Sequence, residues 1–282
     1  MIIKTKKIKS KHFDANSIIK KHLSIQFSLD GFSFCVCDLQ NKEVLAYSKY
    51  LFDHQINTPE KLLRAIRQIF LKDPELQHTF DSVLALHNNE LVTFVPNVFF
   101  DKENLKAYLQ YNNKLLATDF YMYDSIKNQD MKAVYVPYVN VNNFLIDKFG
   151  SFNYRHASSV LVENLLEEFA GKDKRIFIEL SNSFFKICIT QNRKLLFFNT
   201  FEYKTEEDFI YYILFTAEQL KLDLNTVNIF FLGEIIKKKE LLIAIEKYFN
   251  SVKLIEPKPL LSDAKIEKQL AIEEYELFYS KN

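Results

Sequence analysis

The stretch that decides the fold is LSIQFSLDGFSFCVCDLQNKEVLAYSKYL, residues 23–51. Its alternating and apolar runs predict three consecutive strands, because Asp30-Gly31 and the polar residues 40–42 each favour a tight turn between them. A helix is expected next, since Thr58 can cap its start and Pro59 suits its first position. The stretch therefore predicts a unit of three strands and a helix.

A similar stretch occurs a second time, 151 positions further along the chain. This offset places Ile25 over Ile176 and Phe34 over Phe185, and no gap is needed across residues 25–44. Because each copy of a sequence repeat usually folds into the same structural unit, the sequence predicts an α/β protein of two related domains. Each domain is expected to hold a mixed five-stranded sheet flanked by helices.

The pattern along the chain divides it into three parts. Residues 1–20 form a basic N-terminal segment with no sustained apolar period, which favours a solvated arm. Residues 21–170 and 171–282 are expected to be the first and second domains. An aromatic hairpin near residues 118–137 has no counterpart in the second half, and we interpret it as an insertion. Residues 266–278 are predicted to be helical and to pack back on the first half.

Composition narrows the class of protein. The 37 basic and 36 acidic residues nearly cancel, so a protein held mainly by phosphate contacts to nucleic acid is not favoured. Cys35, Cys37 and Cys188 have neither a disulfide nor a metal-ligand spacing and are predicted to be core residues. No apolar run approaches the roughly 18 residues that cross a bilayer, and we expect a cytoplasmic protein.

The element order resembles the actin-like ATPase superfamily, which includes sugar kinases, Hsp70 chaperones and the cell-division and pilus-assembly ATPases. The order is three strands and a helix, twice, followed in the second copy by a strand, Gly233 and a helix. Residues 23–34, LSIQFSLDGFSF, are more specifically similar to the start of the bacterial domain of unknown function 3822 family. The resemblance implies two RNase H-like domains with a nucleotide cleft between them.

In active superfamily members the first hairpin carries Asp, any residue and Gly, the second hairpin repeats this with extra glycines, and a later strand ends in Gly-Gly. Their backbone amides cradle phosphates, and their carboxylates hold a metal and its water. The resemblance implies a cleft bordered here by Ser28, Asp30, Gly31, Glu179, Ser181, Asn182, Gly233 and Glu234.

Each of these motifs is incomplete in this sequence. Ser28 stands at the first Asp position, Ser181 replaces a turn glycine, and Glu234 replaces the second glycine of the Gly-Gly pair. Side chains in such turns keep the backbone away from a triphosphate, and a missing carboxylate leaves Mg²⁺ short of anchoring charge. We therefore expect no catalytic residue, no metal site and no resident cofactor, with ATP and Mg²⁺ as the candidates if one binds.

The sequence favours a non-catalytic scaffold or pseudo-ATPase that acts through protein–protein contacts, with residues 120–136 as the specific surface. The alternative is an ATP-binding switch, or a weak ATPase, whose two halves close on nucleotide. Nothing in the sequence identifies the partner, the pathway or the oligomeric state.

Other enzyme classes have weaker support. Arg155-His156 beside Ser158 and Ser159 suggests a base and a nucleophile, but no acid is predicted nearby, and a loop leading into a helix cap is favoured. A nuclease of the RNase H-like kind needs a carboxylate cluster, which Ser28 interrupts at its first member. The six histidines are scattered without metal-ligand spacing.

Overall fold

The computed structural model describes residues 2–9, 20–41, 43–53, 56–111, 114–256 and 268–280. The strands, in chain order, are β1 (Ile2–Lys9), β2 (Lys21–Ser28), β3 (Gly31–Asp38), β4 (Val44–Phe52), β5 (Ser82–His87), β6 (Val92–Pro96), β7 (Met122–Ser125), β8 (Met131–Tyr135), β9 (Asn153–His156), β10 (Arg175–Leu180), β11 (Phe184–Gln191), β12 (Lys194–Glu202), β13 (Asn228–Gly233) and β14 (Val252–Leu254). The α-helices are α1 (Pro59–Lys72), α2 (Leu105–Leu109), α3 (Val139–Phe149), α4 (Ala157–Glu168), α5 (Glu206–Gln219), α6 (Lys239–Ile245), α7 (Lys268–Glu273) and α8 (Tyr275–Tyr279).

Two large mixed sheets organise the chain. The first has the order β1-β4-β3-β2-β5-β9, and the second has the order β12-β11-β10-β13-β14. In the first sheet β2, β3 and β4 form an antiparallel meander, and β5 and β9 run parallel to β2. In the second sheet β10, β11 and β12 form the same meander, and β13 and β14 run parallel to β10. The mixed α/β architecture with helices on the sheets is therefore confirmed.

The N-terminal segment corrects one expectation. Residues 2–9 are not a solvated arm but an edge strand that pairs with β4, for example Ile3 with Leu51, and the first sheet gains a sixth strand. The Nζ atoms of Lys7 and Lys9 lie 3.1 and 3.2 Å from the carboxylate of buried Glu75. Lysines are typical of edge strands because they prevent pairing with other chains, and here they obscured the strand pattern. Residues 10–19 lie outside the described residues.

The pairing of the hairpins does not follow the gapless repeat. Ile25 pairs with Phe34, and the 151-residue offset places these two over Ile176 and Phe185. Ile176 instead pairs with Ile189. Two residues separate the last paired positions of the first hairpin, Ser28 and Gly31, whereas four separate those of the second, Leu180 and Phe185. The strand register of the second hairpin therefore differs from the register that the gapless alignment implies. The two sheets share a strand order, and the sequence repeat itself stays a prediction.

Side-chain caps mark the starts of the two longest helices, and the predicted start at Thr58 and Pro59 is confirmed. Thr58 Oγ1 accepts a hydrogen bond from the backbone of Lys61 at the start of α1. Thr205 and Asp208 form a reciprocal capping box at the start of α5. Among the described residues, none of the helices is long and apolar enough to cross a membrane.

The predicted insertion is a third sheet. β7 pairs with β8 as the expected hairpin, and β6 adds a further strand, giving the order β6-β8-β7. Phe94 of β6 packs edge-on against Phe198 of β12, with ring centroids 4.7 Å apart. The third sheet therefore contacts the second sheet through β6.

The C-terminal segment, residues 268–280, lies between the two halves. α8 packs against α4 and against β2 and β3, whereas α7 contacts β13. One buried apolar cluster includes Tyr47 from the first sheet, Phe177 from the second and Tyr275 from α8. The helical prediction is confirmed for this segment, although residues 266–267 lie outside the described residues. All three cysteines are buried and reduced, as predicted.

Candidate functional site

The structure brings most of the predicted site residues together in one cleft between the two sheets. The predicted residues that line it are Ser28, Asp30, Gly31, Glu179, Ser181, Asn182 and Glu234. Gly233 does not line the cleft, but it pairs with Leu180, which does. The three incomplete motifs therefore meet at the ends of β2, β10 and β13.

The first hairpin turn is closed by its own side chains. Ser28 Oγ accepts a hydrogen bond from the backbone of Asp30 at 3.1 Å, and Asp30 Oδ2 accepts one from Ser183 Oγ at 2.7 Å. Asp30 thus connects the two hairpins across the cleft. Gly31 begins β3 without a positive φ, which corrects our reading of it as a turn glycine. A Cβ at Gly31 would lie 2.6 Å from the carbonyl oxygen of Tyr50, so strand packing explains the glycine.

The second hairpin holds a buried ion triad. Lys186 Nζ lies 2.8 Å from the carboxylate of Glu179 and 3.1 Å from that of Glu276 on α8. The Lys186 side chain is fully buried, and the two carboxylates overcome the effect of burial and raise its pKa. Burial and the nearby Glu276 raise the pKa of Glu179 to about 7. The carboxylate of Glu179, which the resemblance aligns with the Asp of the second hairpin motif, is therefore paired with a buried lysine.

A second lysine closes the third motif. Lys49 of β4 donates to Glu234, which follows β13, and to Glu274, which lies between α7 and α8. Burial would lower the pKa of Lys49, but these two carboxylates raise it, so the lysine stays charged. Ser33 Oγ also donates to Glu274, at 2.8 Å. Lys49 thus joins the first sheet, the second half and the C-terminal segment.

Gly233 has a structural reason to be glycine. Its φ is +79°, and a Cβ there would lie 2.3 Å from the carbonyl oxygen of Leu180. The backbone therefore passes so close to β10 that only glycine fits at this position.

The cleft is small and acidic. Its volume is about 70 Å³, roughly half of the ~150 Å³ cavity that holds one benzene molecule. Its charged lining residues are five carboxylates and one ammonium: Asp30, Glu179, Glu234, Glu273, Glu274 and Lys49. In the described part of the chain, no group of three or more His, Cys, Asp or Glu side chains is placed to hold a metal ion. The cleft is therefore small, and most of its charged lining residues are acidic.

Sequence reasoning missed the residues that determine this electrostatic character. Each of them lies within a stretch that the sequence predicts to be a strand or a helix: Lys49, Lys186, Glu274 and Glu276. The available signal was a lone charge inside an apolar run, as in FFKICIT around Lys186, since buried lysines are rare without a partner. The partner itself is not identifiable from the pattern, because Glu276 is 90 residues away.

The region of Arg155 and His156 is structural. His156 Nδ1 accepts a hydrogen bond from the backbone of Ser158 and caps α4, which confirms the favoured reading. An acid is present nearby, contrary to expectation, because Asp124 of β7 accepts from Ser159 Oγ at 2.6 Å and from the backbone of His156 at 2.9 Å. The carboxylate binds the serine, not the histidine ring, so these residues attach the insertion to α4.

Solved structures place this arrangement in a known fold class. A Bacteroides thetaiotaomicron protein with an actin-like ATPase fold and unknown function has a TM-score of 0.80 and 20% identity, over 94% of this chain and 98% of that chain. A chain of the PilM–PilN type IV pilus biogenesis complex has a TM-score of 0.62 and 9% identity, over 91% and 96%. The fold is therefore that of the actin-like ATPases.

Sequence comparison identifies the family more narrowly. The profile described as protein of unknown function (DUF3822) matches residues 10–252, and the chain belongs to this family. No curated protein sequence matches the chain significantly.

Proposed function

We propose that this protein is a cytoplasmic, non-catalytic scaffold with an actin-like ATPase fold, acting through protein–protein contacts. The observation that carries the proposal is Lys49, which lies in the cleft and binds Glu234 and Glu274 of the same chain. The chain's own charged groups therefore occupy the cleft between the sheets.

Electrostatics argue against a bound polyphosphate. Two like unit charges about 4 Å apart repel by ~4 kcal/mol at an effective dielectric constant of about 20. The cleft presents more carboxylates than cations, and both lysines nearest to it are already paired with two carboxylates each. A nucleotide would have to break these pairs and leave buried charges without partners, which is costly.

The packing between the halves also favours a fixed scaffold over a hinged switch. Domains of one chain move readily only when their interface is small or polar. Here the apolar cluster of Tyr47, Phe177 and Tyr275 continues from one sheet to the other. Tyr47 packs on Phe278, with ring centroids 5.5 Å apart. Opening the cleft would expose this core.

The insertion is the proposed interaction surface, centred on residues 120–136. Phe120 and Tyr123 are 54% and 37% exposed, and the neighbouring Phe99 is 72% exposed. Exposed aromatic groups of this kind are enriched at protein interfaces. A chain of similar fold in the PilM–PilN structure belongs to a complex, which supports an interaction role by fold analogy alone.

A thermal-shift measurement with millimolar ATP and Mg²⁺ distinguishes the scaffold from the ATP-binding alternative. A ligand at about 100 times its Kd stabilises a protein by ~2.7 kcal/mol, which corresponds to several degrees for a chain of this size. We expect no shift beyond that produced by Mg²⁺ or ATP alone. A rise of several degrees that needs both components would support the switch and refute the scaffold proposal.

The surface is tested by replacing Tyr121 and Tyr123 together with serine and comparing captured partners. The matched control replaces Tyr211 and Phe215, which form an exposed stacked pair on α5. We expect the first variant to lose partners that the control retains. Identical partner sets in both variants would remove the insertion as the interaction surface.

A further inference from the structure

Two amide oxygens in the cleft have unused hydrogen-bonding capacity. Asn88 is 6% exposed, and its Oδ1 has no hydrogen-bond partner among the residues that the structure describes. The same holds, within the described ranges, for the buried Oε1 of Gln26 on β2. Both residues line the cleft. A buried acceptor without a donor costs about 1–3 kcal/mol, so a ligand that donates hydrogen bonds here is favoured.

The surroundings of these acceptors are negatively charged. Asp30 lines the same cleft. The pKa of the nearby Glu90 is raised by burial and also by the negative charges of Glu202 and Asp30. Glu273 of the C-terminal segment also lines the cleft, whereas the neighbouring Glu274 is paired with Lys49. The field therefore selects a cation over an anion or a neutral group.

The size and ligand set narrow the kind of cation. A volume of about 70 Å³ accepts a small head group but not a large aromatic ring. Within the described residues, no three or more Asp, Glu, His or Cys side chains are placed so that they could hold a metal ion. An alkyl ammonium group has three N–H donors and one positive charge, which matches amide oxygens beside carboxylates.

We propose that the cleft binds a primary ammonium group, supplied by the lysine side chain of a protein partner or by a free alkyl amine. The proposal rests on the scaffold function and names the chemistry of what that scaffold recognises. The ammonium donates to Asn88 Oδ1 and Gln26 Oε1, and Asp30 provides the opposite charge. The cleft thus binds a cation where active relatives of this fold bind an anion.

Titration calorimetry and thermal shift with n-pentylamine test the proposal. We expect pentylamine to bind in the millimolar range and to raise the melting temperature, because one ammonium is a small ligand. Pentanol lacks the charge, and tetramethylammonium lacks the N–H donors; neither should bind. Binding of pentanol or tetramethylammonium as tightly as pentylamine, or no binding of pentylamine, overturns the proposal.

Variants locate the site. Asp30→Asn and Asn88→Ala should each weaken pentylamine binding about tenfold, since the first removes the opposite charge and the second removes one hydrogen bond to a charged group. Glu167→Gln removes one exposed carboxylate on α4, outside the cleft, and should leave the Kd unchanged. Circular dichroism reports whether Asn88→Ala folds, and Asp30→Asn, at a partly exposed turn, provides the independent test. Unchanged binding in Asp30→Asn overturns the proposal.

The source of the ammonium is resolved by two further ligands. Acetyl-Gly-Lys-Gly-amide binding at least tenfold more tightly than pentylamine indicates a protein lysine, whereas tighter binding of spermidine indicates a free polyamine. Failure of every amine, with ATP also inactive, removes this inference and leaves the scaffold proposal standing. Stabilisation by ATP and Mg²⁺ removes the scaffold proposal instead, so the two failures are distinguishable.

Discussion

Replacing Lys186 with methionine is the most direct test of the ion triad. The side chain is fully buried between Glu179 and Glu276, which are only 5% and 2% exposed. Methionine keeps the length and apolar stem of lysine but removes the charge, so two buried carboxylates face each other without a cation. Removing one partner of a buried ion pair costs about 3–5 kcal/mol. For a chain of this size the melting temperature should fall by about 6–20 °C.

The loss depends on pH in a defined direction. The pKa of Glu179 is already raised in the folded state from its ordinary value of 4.5, and loss of the neighbouring lysine charge should raise it further. Stability then falls as pH rises above 4.5, because the unfolded state binds fewer protons there. The deficit of Lys186→Met should therefore be larger at pH 8 than at pH 5.

Chemical denaturation at these two pH values, supported by thermal melts, measures the effect. The triple variant with Glu179→Gln and Glu276→Gln removes the uncompensated charges and should recover most of the loss. Lys194→Met, at an exposed position of β12, is the matched control and should change stability by less than about 0.5 kcal/mol. A loss below about 1 kcal/mol in Lys186→Met, with no pH dependence, would falsify the buried triad.

Three other changes test separate parts of the structure. Gly233→Ala should destabilise the protein by about 3 kcal/mol or more, since its Cβ would meet the backbone of Leu180. The control Gly150→Ala is also at positive φ but has no atom within 4 Å, so it should show only the backbone strain of about 1–3 kcal/mol. Equal losses of stability in denaturant melts would contradict the close approach at Gly233. Glu179→Gln should make the free energy of unfolding less dependent on pH between 4.5 and 7, because the raised pKa of Glu179 makes the wild type lose about 2–3 kcal/mol across that range. An unchanged pH dependence in the variant would argue against the raised pKa. Thr205→Ala should cost about 1 kcal/mol through the lost cap of α5, restored by Thr205→Ser but not by Thr205→Val.

Local sequence signals predicted much of the fold. Thr58 and Pro59 predict the start of α1 because capping depends on residues within one turn. Alternation in residues 23–51 gave the meander of the first sheet, because side chains on a strand report which face is buried. The sequence repeat stays a prediction, because the two hairpins differ in loop length, which backbone geometry sets and similar letters do not reveal.

The candidate site was predicted as a location but not as chemistry. The resemblance predicted eight residues around the cleft, and seven of them line it in the structure, because strand ends of equivalent sheets converge in this fold. It did not give Lys49, Lys186, Glu274 or Glu276, whose pairings join residues far apart in the chain. Such partners depend on tertiary packing, and no periodicity in one segment encodes them.

The position of the C-terminal segment has a consequence for folding. Both sheets are synthesised before residues 268–280, yet Glu274 and Glu276 in that segment pair with lysines of both sheets. Contacts of such long sequence separation form slowly, because loop closure must precede them. During synthesis each half can therefore collapse as a unit, but Lys49 and Lys186 gain these carboxylates only after residues 274 and 276 have been made. Docking of residues 268–280 is therefore expected to follow the formation of both sheets.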